Sequence, residues 1–237
     1  MILKIALYLV LVVLATILLA MLQQAINLRA EDITLPQLAP GISFLILASV
    51  SREMRMPVTL SISKTIAIKS LSAMVIPVFP FSIAFIIGKS IGLKMELTSN
   101  FIRLVAPMLP GILIGAMGEE IGWRSFLQPM LERKYSVVLA SLLTGLAWGL
   151  WHMGHYVNGL LFMMGFMTFT ISASIILARI LQDTAYSIIV SVFFHVSLNI
   201  CFLAFFKKSL SSASSMVVIG ITWLIAVIAL KVSSKKI

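Results

Sequence analysis

The chain has a single cysteine, Cys201, so no internal disulfide can form and no cysteine-based metal site exists. Charge is also scarce: Asp, Glu, Lys and Arg make up 11% of the 237 residues, where a soluble domain carries about a quarter. No His-Glu-x-x-His pair occurs, which removes the usual two-histidine zinc-protease signature. There is no internal repeat and no low-complexity tail. In place of these features stand apolar residues, 60% of the total, with a mean hydropathy of +1.10. These values belong to a membrane protein. The net charge of +10 is dispersed between apolar runs and not gathered in one patch. It therefore suits anchoring at phospholipid head groups and argues against a nucleic-acid partner.

A membrane-crossing helix needs about 20 mostly apolar residues, and the charges mark out where such helices fit. Ile5 to Leu28 carries no charge and lacks a small-residue cleavage site, so a retained first helix is expected. Further spans are expected within Ile33–Ser51, near Ser70–Gly88 with kinks at Pro77 and Pro80, and from Phe101 through Met117 toward an acidic pair. Tyr135 to Ala178 holds two helices broken around Gly154–Gly159, followed by Thr184–Phe206 and Met216–Leu230. The expected fold is thus all-α: a single polytopic transmembrane domain over 1–237, with eight helices around a polar intramembrane chamber and a catalytic core of about 101–206.

Threading eight helices from a cytoplasmic N-terminus places twelve Lys and Arg inside (Lys4, Arg52, Arg55, Lys64, Lys69, Arg124, Arg133, Lys134, Arg179, Lys231, Lys235, Lys236). Six fall outside: Arg29, Lys89, Lys94, Arg103, Lys207 and Lys208. Both termini are expected in the cytoplasm, in a cytoplasmic membrane. Arg52 to Lys69 reads as a surface helix on the inner face.

Three polar clusters interrupt the apolar pattern. In Glu119-Glu120-Ile121-Gly122-Trp123-Arg124, Glu120 and Arg124 are four apart and share a helix face, while Glu119 points about 100° away. Pro107, Pro110, Gly111, Gly115 and Gly118 indicate a kinked, closely packed helix, which argues against an acidic pair at the membrane surface. An ionisable group at bilayer depth costs at least about 2.5–3.5 kcal/mol and usually serves function. In the second cluster Trp148 lies one turn before His152, where its indole can wall a pocket beside the imidazole, whereas His155 reads as an interfacial residue next to a turn. The third pairs His195 with Asn199 on one helix face, an arrangement that also glues helices together in membranes. Jointly they offer a base, two imidazoles and an amide, the groups that peptide hydrolysis requires. A serine or cysteine nucleophile has less support, because Cys201 stands in no motif.

Glu119-Glu120-x-x-x-Arg124, then Trp148-x-x-x-His152, then His195-x-x-x-Asn199, resembles the CPBP family in order and spacing over about Pro110 to Asn199. That family comprises CAAX proteases of the Rce1 type together with bacteriocin-processing and immunity proteins, also called Abi. Trp148 stands where the family more often has Phe. The resemblance implies an intramembrane endopeptidase with a chamber opening toward the cytoplasm, acting on a peptide or lipidated protein substrate. It implies Glu119 as the base that activates water, His152 as a water holder, His195 and Asn199 as oxyanion donors, and Glu120 with Arg124 as support. No cofactor is expected. The competing mechanism has Glu119, His152 and His195 as Zn²⁺ ligands, and the competing function is a non-catalytic immunity or transport protein.

Overall fold

The computed structural model describes residues 1–54, 56 and 58–233, with side chains described to Leu230. Among the described residues every regular element is helical, and the only strand-like pairing is an isolated bridge from Thr59 to Ser187. The protein is an all-α, multi-pass integral membrane protein. Helix α1 is Ile2–Ala25, ended by Asn27 in the left-handed region (φ 53°). There Leu28 N donates to Gln23 O and Asn27 N to Gln24 O, the double bond pattern that closes a helix. After a short 3₁₀ turn at Leu35–Leu38 comes α2 (Ala39–Val50). Helices α3 (Lys64–Val75) and α4 (Val78–Ser90) form one span broken at Pro77, where the kink was expected.

Arg52 to Lys69 is not one surface helix. Arg52–Met54 is a single 3₁₀ turn, and Ser63 Oγ caps a new helix by accepting from Ile66 N, so Lys64 to Lys69 open the third span. Arg55, Lys235 and Lys236, counted as inner cations, lie outside the described residues.

Helix α5 (Phe101–Gly122) does not stop at the acidic pair. It runs through a π-turn at Trp123–Leu127 into α6 (Gln128–Glu132), one apolar rod of 32 residues. A π-turn accommodates Pro129, whose nitrogen could not join the ordinary ladder. Glu119 and Glu120 are therefore mid-span and fully buried, and Arg124, counted from sequence among inner-surface cations, is 2% exposed inside the bundle. The chain continues as α7 (Val137–Trp151), a turn through Asn158, α8 (Leu160–Leu181), α9 (Ile188–Phe205) and α10 (Ala213–Ser233). Gly159, at φ 87°, makes the reversal before α8.

Six of these spans are long and apolar enough to cross a bilayer, and two apolar helices are shorter, Leu35–Val50 and Val137–Trp151. At 1.5 Å per residue the two short ones reach only about 22–24 Å of a roughly 30 Å hydrocarbon core. Irregular backbone adjoins both, the 3₁₀ turn at Leu35–Leu38 opening the first and Met153–Asn158 following the second. Such backbone is tolerated at depth only where protein or a wet cavity surrounds it.

Contacts between loops define two ends of the bundle. Lys4 pairs with Glu53, Lys69 with Asp183 and Tyr186 with Glu132 at the end holding the start of α1 and the end of α10. Thr98 bonds to Leu203 O and Lys208 pairs with Glu96 at the other.

Candidate active site

The glycine stripe of α5 explains how the site is assembled. A Cβ at Gly115 would stand 2.2 Å from Gln37 Oε1, and one at Gly118 would stand 2.7 Å from Gln37 O. Only glycine lets the Asp32–Pro40 segment lie this close against α5. The result is that Gln37 Nε2 donates to Glu119 Oε1 at 3.0 Å. From the other side Trp148 Nε1 donates to Glu119 Oε2 at 2.6 Å, within the range of charge-assisted bonds. Both oxygens of the carboxylate are thus held by neutral donors, while His195 Nε2 faces Oε1 at 3.8 Å.

Glu120 does two jobs through one oxygen. Oε1 accepts from His195 Nδ1 at 2.7 Å and from Arg124 Nη1 at 3.2 Å. The His195 ring is thereby fixed with Nε2 toward Glu119. His152 is fixed similarly: its Nδ1 lies 2.8 Å from the Trp148 carbonyl, which can only accept, so Nδ1 carries the hydrogen and Nε2 is free for the cavity. Besides holding Glu119, Trp148 packs against both histidines and the arginine, its ring 5.4 Å from that of His195, 5.9 Å from that of His152 and 4.6 Å from the Arg124 guanidinium carbon. This is more than the wall expected of it.

One cavity of about 280 Å³ is lined by Glu119, Trp148, His152, His195 and Asn199, so the residues singled out from three separate motifs meet there. Glu120 and Arg124 stand behind it, buried. Phe162, Phe166, Phe169 and Phe202 supply its apolar side. His155 also lines it, its ring 5.6 Å from His152 and 2° from parallel. The turn after α7 leaves Met153, Tyr156 and Val157 exposed while His155 turns its ring to His152 and the cavity. From mid-bundle the cavity extends past Leu203 and Leu210 to the Ala30–Thr34 loop, at the end opposite the termini.

Residues 99–201 match the family model of the type II CAAX prenyl endopeptidases, Rce1-like. This segment is similar to the Rce1-like family. The match spans Glu119 through Asn199 and excludes Gln37. The chain is 30% identical over 105 residues to CAAX prenyl protease 2 of Methanococcus maripaludis, covering 40% of this chain and 39% of that protein. It is 24% identical over 212 residues to lysostaphin resistance protein A of Staphylococcus haemolyticus, covering 84% of this chain and 56% of that protein. The chain therefore spans between two fifths and three fifths of these relatives.

Gln37, 82 residues before its partner in the Rce1-like segment, was missed from sequence. The one signal was the glycine stripe, which shows that something packs closely without showing what. A further row also escaped notice: Glu120, Arg124, Gln128 and Glu132 recur every fourth residue, with Gln128 Nε2 donating to Glu132 Oε1 at 2.5 Å and Tyr186 donating to the same oxygen. A Gly-x-Ser-x-Gly string does occur, at Gly88–Gly92. It sits at the exposed end of α4, where Ser90 Oγ donates to Ile87 O, and not on a strand-to-helix turn. Among the described residues no group of three His, Cys, Asp or Glu has the geometry to hold a metal ion, and the proposed zinc set Glu119, His152 and His195 is no exception.

Proposed function

We propose that the protein is an intramembrane endopeptidase that uses Glu119 to activate water against a peptide bond of a membrane-anchored or lipidated substrate. The observation that carries this reading is the Glu119 carboxylate, fully buried yet cavity-lining, gripped by Gln37 and Trp148 and faced by the His195 imidazole. Water held between Glu119 and His152 gives its proton to Glu119 as its oxygen bonds to the scissile carbonyl carbon. The oxyanion accepts from His195 Nε2–H and the Asn199 amide. Collapse of the adduct breaks the C–N bond, and the proton on Glu119 passes to the leaving nitrogen.

Charge counting supports the donor role of His195. Glu119, Glu120 and Arg124 sum to −1, and burying net charge in an apolar bundle is costly. An imidazolium at His195 brings the cluster to zero, with Nδ1–H on Glu120 and Nε2–H toward the oxyanion. The substrate class is CAAX-type or leader and bacteriocin-type processing, and the names of the family model and one relative favour the first. We place the protein in the cytoplasmic membrane with both termini in the cytoplasm, on the bias of Lys and Arg toward that end.

Glu119→Gln keeps the shape and the hydrogen bonds of the side chain but removes the base. Cleavage of a membrane-embedded reporter should be abolished at unchanged expression, and undiminished cleavage would refute the assignment. Activity should survive chelators, and purified protein should hold no stoichiometric zinc; a chelator-sensitive enzyme restored by zinc would return the metal mechanism. The similarity to a lysostaphin resistance protein over 84% of this chain favours one second reading, a protective function by binding. Host protection that persists in Glu119→Gln would establish it.

A further inference from the structure

A second cavity, about 600 Å³, lies beside the first, bounded by Thr16, Ile17 and Ala20 of α1, by Thr34–Gln37, and by Trp151–His155. Four residues, Thr34, Gln37, His152 and His155, line both cavities, so these side chains are the partition between them. Two of the four belong to the catalytic arrangement: Gln37 holds Glu119, and His152 faces the reacting water.

The outer wall of this space is thin. Helix α1 buries only Tyr8 and Val12, and no residue from Val13 to Ala25 is buried. Its C-terminal half is joined to α7 through Trp151 Nε1 donating to Thr16 Oγ1 at 2.7 Å, and to the 33–35 segment through Gln23, which donates to Ile33 O and accepts from Leu35 N. Ile17, Leu18, Met21 and Leu22 are exposed on this half of an apolar span, the surface that acyl chains cover in a bilayer.

We propose that this space is the side entrance by which an extended, lipid-anchored chain passes from the bilayer to Glu119, with Gln37 as its threshold. The inference rests on the endopeptidase reading and names the route by which its substrate arrives. Size selects the occupant. A helix about 10–12 Å across fills roughly 500 Å³ per turn, so the space takes little more than one turn of helix. An unwound segment or a single lipid chain fits. A peptide bond must in any case be presented extended to be attacked. An occupant crossing the partition displaces or bonds to the Gln37 carboxamide, and that contact is transmitted to the carboxylate of Glu119.

The test uses an internally quenched octapeptide, either free or bearing a diazirine-modified farnesyl thioether on its cysteine, with full-length protein in nanodiscs. Ala20 faces the space from an exposed helix, so Ala20→Trp fills it without disturbing packing. In the Glu119→Gln background the farnesylated probe should crosslink to Thr16–Ala20 or Trp151–His155, and Ala20→Trp should remove that labelling. In the active protein Ala20→Trp should lower kcat/KM for the farnesylated peptide at least tenfold and leave the free peptide unchanged. Labelling confined to Glu31, Leu203 and Leu210 would overturn the proposal. Equal labelling by a diazirine phospholipid, or equal effects of Ala20→Trp on both peptides, would overturn it too. Labelling as expected with neither peptide cut by the wild type would leave the entrance standing as a lipopeptide site and sink the endopeptidase reading instead.

Discussion

Replacing Gln37 with Ala isolates the contribution of a residue outside the Rce1-like segment. The substitution deletes the amide that donates to Glu119 Oε1 at 3.0 Å and leaves the Trp148 bond intact. A hydrogen bond to a charged group contributes about 1.5–3 kcal/mol. With about 1.36 kcal/mol per tenfold in rate, kcat/KM should fall roughly 10- to 150-fold. The loss should sit in kcat, because Gln37 positions the base. Gly115→Ala gives an independent route to the same defect. Its Cβ would lie 2.2 Å from Gln37 Oε1 and 2.8 Å from Cδ, so the carboxamide must leave Glu119 or α5 must shift. In Gln37→Ala the colliding atoms are absent, and the two changes should be strongly sub-additive: the double variant should be about as active as the worse single one. The assay is steady-state cleavage of the quenched octapeptide in nanodiscs, with thermal unfolding as a control for folding. Wild-type activity in Gln37→Ala, or a double variant whose loss is the product of the two singles, would refute the link from Gly115 through Gln37 to Glu119.

Glu120→Ala strands the buried Arg124 and His195 together, and removing one partner of a buried pair costs about 3–5 kcal/mol; thermal unfolding in detergent should register a large drop, and an unchanged midpoint would contradict the arrangement. Trp148→Phe keeps the ring against both histidines but deletes the indole donor to Glu119, so activity should fall about tenfold or more at nearly unchanged stability. For orientation, Ser211→Cys at the mouth should react with a membrane-impermeant maleimide in intact cells, and Lys134→Cys at the terminal end only after permeabilisation. Cys201 is buried and gives no background. The opposite labelling pattern would invert the topology.

How much of this was legible in the sequence depends on how far apart the partners lie along the chain. The α5 cluster could be read because its signals are local: glycines and prolines beside two carboxylates on an apolar run. Spacing of four residues gave Glu120 with Arg124, and it is there at 3.2 Å. The same spacing also suggested His195 with Asn199, yet the partner of His195 Nδ1 is Glu120, 75 residues away. Periodicity says which side chains share a face and nothing about what that face meets. The length of the α5 rod was half legible: Pro129 as a stop favours a helix that continues past Arg124 toward Gln128, and the rod reaches Glu132. An Arg close to the end of an apolar run reads as a boundary, whereas Arg124 is neutralised inside the bundle by Glu120, and the helix continues to Glu132.

Parity constrains the rest of the mechanism. With eight crossings both termini share one face, and the cavity holding Glu119 extends to the other, toward the Ala30–Thr34 loop and Leu210. The cation bias and a chamber open to the cytoplasm therefore exclude each other. Removing the buried Arg124 from the inner count leaves eleven cations against six, so the bias survives the correction. On the proposed orientation, with both termini in the cytoplasm, the mouth lies on the outer face. The proposed mechanism then requires water to reach Glu119 from outside and a lipid-anchored chain to arrive behind α1, the two meeting at the partition formed by Gln37 and His152. On that account the two short helices are not defects in a bundle of long ones. Leu35–Val50 begins, and Val137–Trp151 ends, beside the cavity that Gln37, His152 and Glu119 line, so on the proposed reading their missing turns are the space in which peptide, water and carboxylate come together.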